Sequence, residues 1–361
     1  MALALTLGRR GLGRTWPNPA VGAVIVRDDG AGPVVVGRGW TQPGGRPHAE
    51  TQALDRAGAA ARGATMYVTL EPCSHHGKTP PCANAIMAAG IARVVSAMID
   101  PNPEVAGAGH WRMAEKGIVV EVGIGGEEVA RAHAGHSRRV RDGRPHVILK
   151  LAVSADGKAG LAGRRPAPIT GEAVRARVHL MRATSDAVLT GIGTALADDP
   201  LLTCRLPGMT GRSPVCVVLD GKLRLPLKSK LAATARKTPL WVVTGESAPP
   251  EREQALKAAH VEVLRVPSRD GKLDLAAALK LLAGRGITRL MMEAGPILST
   301  AFMRAGLVDE AALFRSPTPI GPDGIDAVEG MSFSALAQSA GLKPLGSEQI
   351  GVDMVENYER A

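Results

Sequence analysis

Short apolar runs, each too brief for a helix, alternate with longer stretches of helical character along most of the chain. That alternation constrains the fold more than any other feature. Residues 21–26 read as a buried strand, and residues 34–36 as a second strand closing a hairpin over Asp28, Asp29 and Gly30. Residues 48–61 are alanine-rich and predict a helix, and residues 66–70 predict a strand. Residues 82–89 predict a helix that stops at Gly90, a residue suited to the left-handed position after a last turn. Residues 92–97 predict another strand. This order implies α/β layers around a largely parallel sheet.

The pattern is interrupted once and then restarts. Residues 136–146 (HSRRVRDGRPH) are polar and basic and carry a glycine and a proline, which marks a boundary between domains. With 361 residues, two domains of ordinary size are expected, spanning 1–143 and 144–361. Beyond the boundary, residues 147–153 predict a strand. Thr170 is placed to cap a helix whose Val174, Val178 and Met181 share one face. Further strands are expected at 187–190, 215–219, 240–243, 261–266 and 290–292.

Composition narrows the class. Four cysteines cannot form a disulfide framework in a chain of this length, so a reducing compartment is expected, with some thiols free to act as ligands. No stretch approaches the ~20 apolar residues that span a bilayer. The apolar start precedes Arg9 and Arg10, the reverse of a secretory signal, so the expected location is the cytoplasm. A net charge of +10 favours anionic partners, either phosphorylated metabolites or nucleic acid. Aromatic residues make up only 2%, too few to build base-stacking platforms, and the basic residues are dispersed; nucleic acid is therefore not expected as a partner.

The most informative constellation is His48-Ala49-Glu50, followed by Pro72-Cys73 and Pro81-Cys82. Alone, a His-x-Glu is usually an exposed helix start, and isolated cysteines are usually buried hydrophobes. Together, one histidine and two cysteines make a three-ligand zinc site with an open fourth position. Glu50, two residues from His48, is placed to shuttle protons without binding the metal. This is the arrangement of zinc nucleobase deaminases, in which water displaces a ring amino group. Cys204 and Cys216 lack ligand-like neighbours and read as core thiols.

Eight residues separate Cys73 from Cys82, where deaminases commonly have two. That insert, Ser74-His75-His76-Gly77-Lys78-Thr79-Pro80-Pro81, lies among further matching segments: Pro17-Asn18-Pro19, Glu71-Pro72-Cys73 and Asp100-Pro101-Asn102-Pro103. Together they resemble the bifunctional riboflavin biosynthesis deaminase–reductases. The resemblance implies a cytidine-deaminase-like three-layer domain followed by a dihydrofolate-reductase-like α/β domain, with one zinc ion and NADPH as cofactors. It implies that Asn18, Lys78, Asp100 and Asn102 hold the first substrate. His75 and His76 then stand beside the metal set rather than in it. Thr41 occupies a position where the family usually carries a histidine.

In the second half no G-x-G-x-x-G follows a strand. The nearest signal, Gly191-Ile192-Gly193-Thr194, is weak alone. With Lys150 to Ser154, Asp156-Gly157-Lys158 and Glu293-Ala294-Gly295-Pro296 it resembles the family's reductase domain. By that resemblance Ala152, Thr194, Asp198 and the run Gly295, Pro296, Ile297, Leu298, Ser299, Thr300 and Ala301 line the nucleotide. Arg182, Leu202, Arg205 and Glu293 face the second substrate. Lys150 and Glu293 are both candidates for the proton that accompanies the hydride. Pro166 and Pro168 replace a serine and a tryptophan of the family pattern, and Gly221 replaces a serine, with Lys222 and Arg224 nearby.

The expected function is therefore zinc-dependent deamination of 2,5-diamino-6-ribosylamino-4(3H)-pyrimidinone 5′-phosphate, then NADPH-dependent reduction of the ribosyl chain of the product to ribityl. The alternative is a chain that only deaminates, its second domain impaired. Phosphorylated pyrimidines are the expected partners, and a homo-oligomer the expected state.

Overall fold

The computed structural model describes residues 1–77, 79–165, 167–329 and 332–360. The chain divides into two compact units, Met1–Gly143 and Arg144–Ala361.

The first unit is a five-stranded sheet with helices on its faces. Its strands are β1 (Gly22–Asp28), β2 (Pro33–Trp40), β3 (Thr65–Val68), β4 (Arg93–Ser96) and β5 (Val119–Val122), in the order β2-β1-β3-β4-β5. The helices are α1 (Ala2–Gly8), α2 (Ala49–Ala57), α3 (Cys82–Ala89), α4 (Ala108–Glu115), α5 (Gly126–Ala132) and α6 (Ala134–Asp142). The expected parallel character holds for β3-β4-β5 only, because β1 pairs antiparallel with both of its neighbours. The tight β1–β2 turn dictates this. Its Asp28 carboxylate accepts from the N–H groups of Gly30 and Gly32.

Helix α2 presents Ala49, Ala53 and Ala57 to the sheet, all buried. It lies so close to β2 that a Cβ at Gly37 or Gly39 would stand 2.3 Å or 2.2 Å from the Ala53 or Ala49 carbonyl oxygen. Alanines on the helix and glycines on the strand thus set the depth of α2, and with it the positions of His48 and Glu50. Helix α3 ends as expected at Gly90, which is left-handed.

The basic stretch 136–146 is not an irregular linker. Residues 134–142 form α6, braced by an i,i+4 pair between Arg138 and Asp142 at 2.6 Å. The break falls at left-handed Gly143.

The second unit is built on a nine-stranded sheet. From one edge the strands run Glu262–Val266, Leu240–Gly245, Val215–Leu219, Ala187–Gly191, Arg289–Met292, His146–Val153, Glu310–Arg315, Asp353–Arg360 and Leu342–Ile350. The first seven are mutually parallel and the last two pair antiparallel. The core is aliphatic, with Val174, Val188, Val218, Leu225, Val242 and Met291 packed together and Phe314 among them. Thr170 is not the cap of the following helix, Glu172–Ala183; that helix begins at extended Gly171, whose N–H donates to the Asp353 carboxylate at 2.8 Å. The two antiparallel strands were not expected from the sequence, because Leu342–Ile350 is largely exposed and Asp353–Arg360 is rich in charged residues rather than apolar ones.

Candidate active sites

In the first unit His48 sits at the N-cap of α2, Cys73 follows β3 after a short loop, and Cys82 opens α3. The fold brings all three together: His48 Nδ1 lies 3.7 Å from Cys73 Sγ and 3.3 Å from Cys82 Sγ. A tetrahedral zinc with ordinary Zn–N and Zn–S bonds places N and S about 3.5 Å apart, so the donor set and its spacing fit that ion. These three residues form the metal-ligating cluster among the described residues; His75 and His76 are exposed and outside it.

Glu50 points inward from the first turn of α2 and is 3% exposed. Burial pushes its carboxyl up to about 7, against the pull of His48. Hydrogen bonding from Cys82 holds the Cys73 thiol down to about 4, and the same bond together with burial drives Cys82 up.

Asn18 lies against the outer edge of the metal histidine, with Nδ2 3.4 Å from His48 Nε2 and donating to the Gly45 carbonyl at 2.9 Å. Asp100 and Asn102 form successive turns after β4: Asp100 Oδ1 accepts from Asn102 N–H, and Asn102 Oδ1 from Glu104 N–H. Lys78 lies outside the described residues. Thr41, where the family histidine is missing, is buried, and its hydroxyl accepts from Val21 N–H at 3.0 Å.

Two residues of this site were not singled out from the sequence. Arg46 places Nη1 3.4 Å from His48 Nε2 and donates to Thr79 Oγ1. Glu71, fully buried, accepts backbone N–H groups of Asp100, Gly107 and Gly109 at 2.9–3.1 Å. It thereby fixes the loop that carries Asp100. Its place immediately before Pro72-Cys73 was the only available signal.

The second unit holds a cavity of about 850 Å³ at the carboxyl ends of its central strands, where open α/β sheets bind ligands. It gathers Ala152, Thr194, Asp198, Gly295, Pro296, Ile297 and Leu298, together with Arg182, Leu202 and Glu293. Leu202 is buried with a left-handed backbone (φ 55°), a conformation that costs energy in a branched residue and is held by its surroundings. Ser299 and Thr300 are buried behind the cavity wall. The Ser299 hydroxyl donates to the Ala294 carbonyl, and that of Thr300 accepts from Glu329 N–H. Neither they nor Ala301 line the cavity, and exposed Arg205 also lies outside it. Cys204 and Cys216 are core thiols, each 2% exposed.

Arg182 Nε and Nη2 donate to the Glu293 carboxylate, and Nη1 to the Thr203 carbonyl. Its fork is thus occupied inside the protein rather than turned to open space. Burial pushes Glu293 up, but Arg182 and Lys150 outweigh it and hold the carboxyl below its ordinary value. Burial lowers Lys150, a shift that Glu293 opposes and Arg182 reinforces. Arg165, Arg175 and Arg224 add positive charge along the wall, a setting that suits the phosphates of a nucleotide.

A zinc-ligand triad beside a buried carboxyl, and an α/β reductase-like unit with a cationic cleft, define a bifunctional deaminase–reductase. Comparisons place it further. Residues 1–98 match the family model "Cytidine and deoxycytidylate deaminase zinc-binding region", and residues 145–355 match "RibD C-terminal domain". The chain is 41% identical to the riboflavin biosynthesis protein RibD of Escherichia coli, over 90% of this chain and 88% of that protein. The structure of Acinetobacter baumannii RibD superposes with a TM-score of 0.87 at 37% identity, covering 100% of this chain and 97% of the other. A Thermotoga maritima diaminohydroxyphosphoribosylaminopyrimidine deaminase/5-amino-6-(5-phosphoribosylamino)uracil reductase gives 0.85 at 35% identity, with the same coverage. The chain belongs to the RibD family of riboflavin biosynthesis proteins. Its cofactors are zinc in the deaminase unit and NADPH in the reductase unit. Among the described residues no helix is long and apolar enough to cross a membrane.

Proposed function

We propose that the two units act in series on one phosphorylated pyrimidine. The first displaces the 2-amino group of 2,5-diamino-6-ribosylamino-4(3H)-pyrimidinone 5′-phosphate by water and releases ammonia. The second delivers a hydride from NADPH, with a proton, to the ribosyl chain of 5-amino-6-(5-phosphoribosylamino)uracil and so forms the ribityl chain. The observation that carries the reading is the gathering of His48, Cys73 and Cys82 into one ligand set, with the Glu50 carboxyl buried beside them but outside that set.

His48, Cys73 and Cys82 hold the zinc, which when bound acts as a Lewis acid and makes a water ionisable near neutral pH. Glu50, buried beside the ligand set, would take a proton from the attacking water and return one to the departing amine. Asn18, Asp100 and Asn102, with Lys78, hold the pyrimidine and its ribose phosphate. In the second unit the cavity wall from Gly295 to Leu298, with Thr194, Asp198 and Ala152, receives the nucleotide. Ser299, Thr300 and Ala301 support that wall from behind. Leu202 and the Arg182–Glu293 pair bound the substrate end, Arg205 guards its exposed rim, and Lys150 beside Glu293 supplies the proton.

The paired Arg182–Glu293 and the cationic wall support an intact reductase, and no observation favours the deaminase-only alternative. A cytoplasmic homo-oligomer without nucleic-acid partners belongs to the same proposal. Four free cysteines support the reducing location, and native mass measurement tests the oligomer. The decisive experiment supplies the pyrimidine and NADPH together and follows ammonia release and NADPH oxidation in one cuvette. Ammonia without NADPH oxidation would restore the deaminase-only reading.

A further inference from the structure

We propose that His136, on α6, is a positioning residue for deamination, holding the Asp100 carboxylate in the orientation that meets the pyrimidine substrate. The proposal rests on the reading above, in which Asp100 touches that substrate.

His136 Nε2 lies 3.2 Å from Asp100 Oδ1, and each side chain is only 12% exposed. Asn102 N–H donates to the same oxygen at 2.8 Å. Both bonds fall on Oδ1, so Oδ2 is the oxygen left to accept a ligand's donor. His136 Nδ1 is buried without a hydrogen-bond partner among the described residues. A ring whose other nitrogen is buried unsatisfied gives up hydration for this one contact, which marks the Asp100 bond as the reason for its placement. The imidazole with its hydrogen on Nε2 donates to Asp100 and leaves Nδ1 as an unpaired acceptor.

The surroundings make the contact rigid. His133, three residues earlier, places Nε2 3.1 Å from the Thr69 hydroxyl, which in turn accepts from Gly22 N–H in β1. The α5–α6 segment therefore docks through two histidines on the loops that leave β3 and β4. From the other side, buried Glu71 holds the Asp100 backbone N–H. The carboxylate is thus fixed at its backbone from the zinc loop and at its side chain from α6. Without His136 the Asp100 side chain keeps only the Asn102 bond, and rotation of its carboxylate becomes free.

The test uses the full-length, zinc-loaded chain with His136→Leu, His136→Gln and Asp100→Asn. Gln carries an N–H donor at nearly the reach of Nε2, and Leu carries none. For His136→Leu the expected result is a KM for the pyrimidine raised about tenfold with kcat changed less than about threefold, the pattern of lost uniform binding. His136→Gln should return KM to within about threefold of wild type. Zinc content, and reduction of separately supplied deaminated substrate, should not move. Should the Leu chain fail to fold, His136→Asn, too short to reach Asp100, takes its place with the same expectation. An unchanged KM in His136→Leu alongside an impaired Asp100→Asn overturns the positioning role and leaves the substrate reading standing. A Gln variant as impaired as Leu overturns it too, since the donor would then be irrelevant. An Asp100→Asn variant indistinguishable from wild type removes the substrate reading itself, and the proposal with it.

Discussion

Arg182 and Glu293 form a two-pronged ion pair in the second unit, Nε and Nη2 of the one lying 2.6 Å and 2.9 Å from the two carboxylate oxygens of the other. Both side chains are 12% exposed. A pair so enclosed is worth most when one considers breaking it: removing one partner strands a buried charge, at a cost of about 3–5 kcal/mol. With Lys150 still beside Glu293, Arg182→Leu should therefore lower the unfolding free energy of the second unit, read from its urea transition, by up to about that amount. It should also abolish most NADPH oxidation while deamination in the first unit continues. Arg205→Ala, at an exposed position, should leave stability within about 0.5 kcal/mol of wild type. Equal stability losses in the two variants would contradict the assignment of the pair as a structural anchor of this site.

The roles of Glu50 and the metal ligands separate by metal content. Glu50→Ala should retain stoichiometric zinc and lose nearly all deamination, since its carboxyl moves protons but does not belong to the ligand cluster. Cys73→Ser should lower zinc content, because a thiolate ligand is gone. A chelator should abolish ammonia release and spare reduction of separately supplied deaminated substrate. Metal analysis and ammonia release of the purified variants check the first two, and ammonia and NADPH assays with and without chelator check the third; zinc loss in Glu50→Ala would reverse the roles.

Acid stability of the second unit should depend on Asp309. Its carboxylate accepts from Arg144 at 2.7 Å and 2.8 Å and from Val147 N–H at 2.9 Å, and it is 1% exposed. Burial pushes it up, but Arg144, His146 and the Val147 N–H prevail and hold it below the usual aspartate value. A depressed folded-state value means the unfolded chain binds the proton more readily. The stabilisation is then complete above the unfolded value of about 3.9 and is lost as pH falls through the lower folded value. Urea titrations from pH 7 to pH 2 should show wild-type stability falling below about pH 5. Asp309→Asn should be weaker at neutral pH and flatter in acid. A parallel acid limb in the two proteins would refute this.

The strands that carry chemistry were readable in the sequence because they are buried and apolar; β1, β3, β4 and six of the seven parallel strands of the second sheet declare themselves by composition. The three strands at 310–315, 342–350 and 353–360 did not, since two of them lie at or beside an edge and carry lysine, glutamate and arginine. Helix α6 hid in the same way: its arginines look like a linker when only their polarity is counted. His48, Cys73, Cys82 and Glu50 could be read from spacing because metal ligation demands particular residue types. Arg46, Glu71 and His136 could not, because each acts through a contact to a segment between 29 and 38 residues away. No local pattern records such a pairing.

The loop at residues 163–168 offers the sharpest test of the reductase. Arg165 and Pro168 are exposed and both line the cavity, while Pro166 lies outside the described residues. Proline has a fixed φ and no N–H, so Pro166 and Pro168 offer ligands neither backbone donors nor the hydroxyl and aromatic face of the family pattern. One missing neutral hydrogen bond weakens binding by roughly 0.5–1.5 kcal/mol, about threefold to tenfold, and missing aromatic packing adds a comparable amount. Arg165 works against that loss. Its Nε donates to the Ala162 carbonyl at 3.2 Å, which steadies a guanidinium on the cavity wall where a phosphate can be met. Arg165→Ala should therefore raise the NADPH or substrate KM about threefold to tenfold with little change in kcat. The double variant Pro166→Ser with Pro168→Trp should lower it. Steady-state reduction of authentic deaminated substrate at varied NADPH checks both. A double variant that binds no better, with Arg165→Ala unimpaired, would mean that this loop contributes nothing to ligand binding and that the cationic wall is set by Arg175 and Arg224 alone.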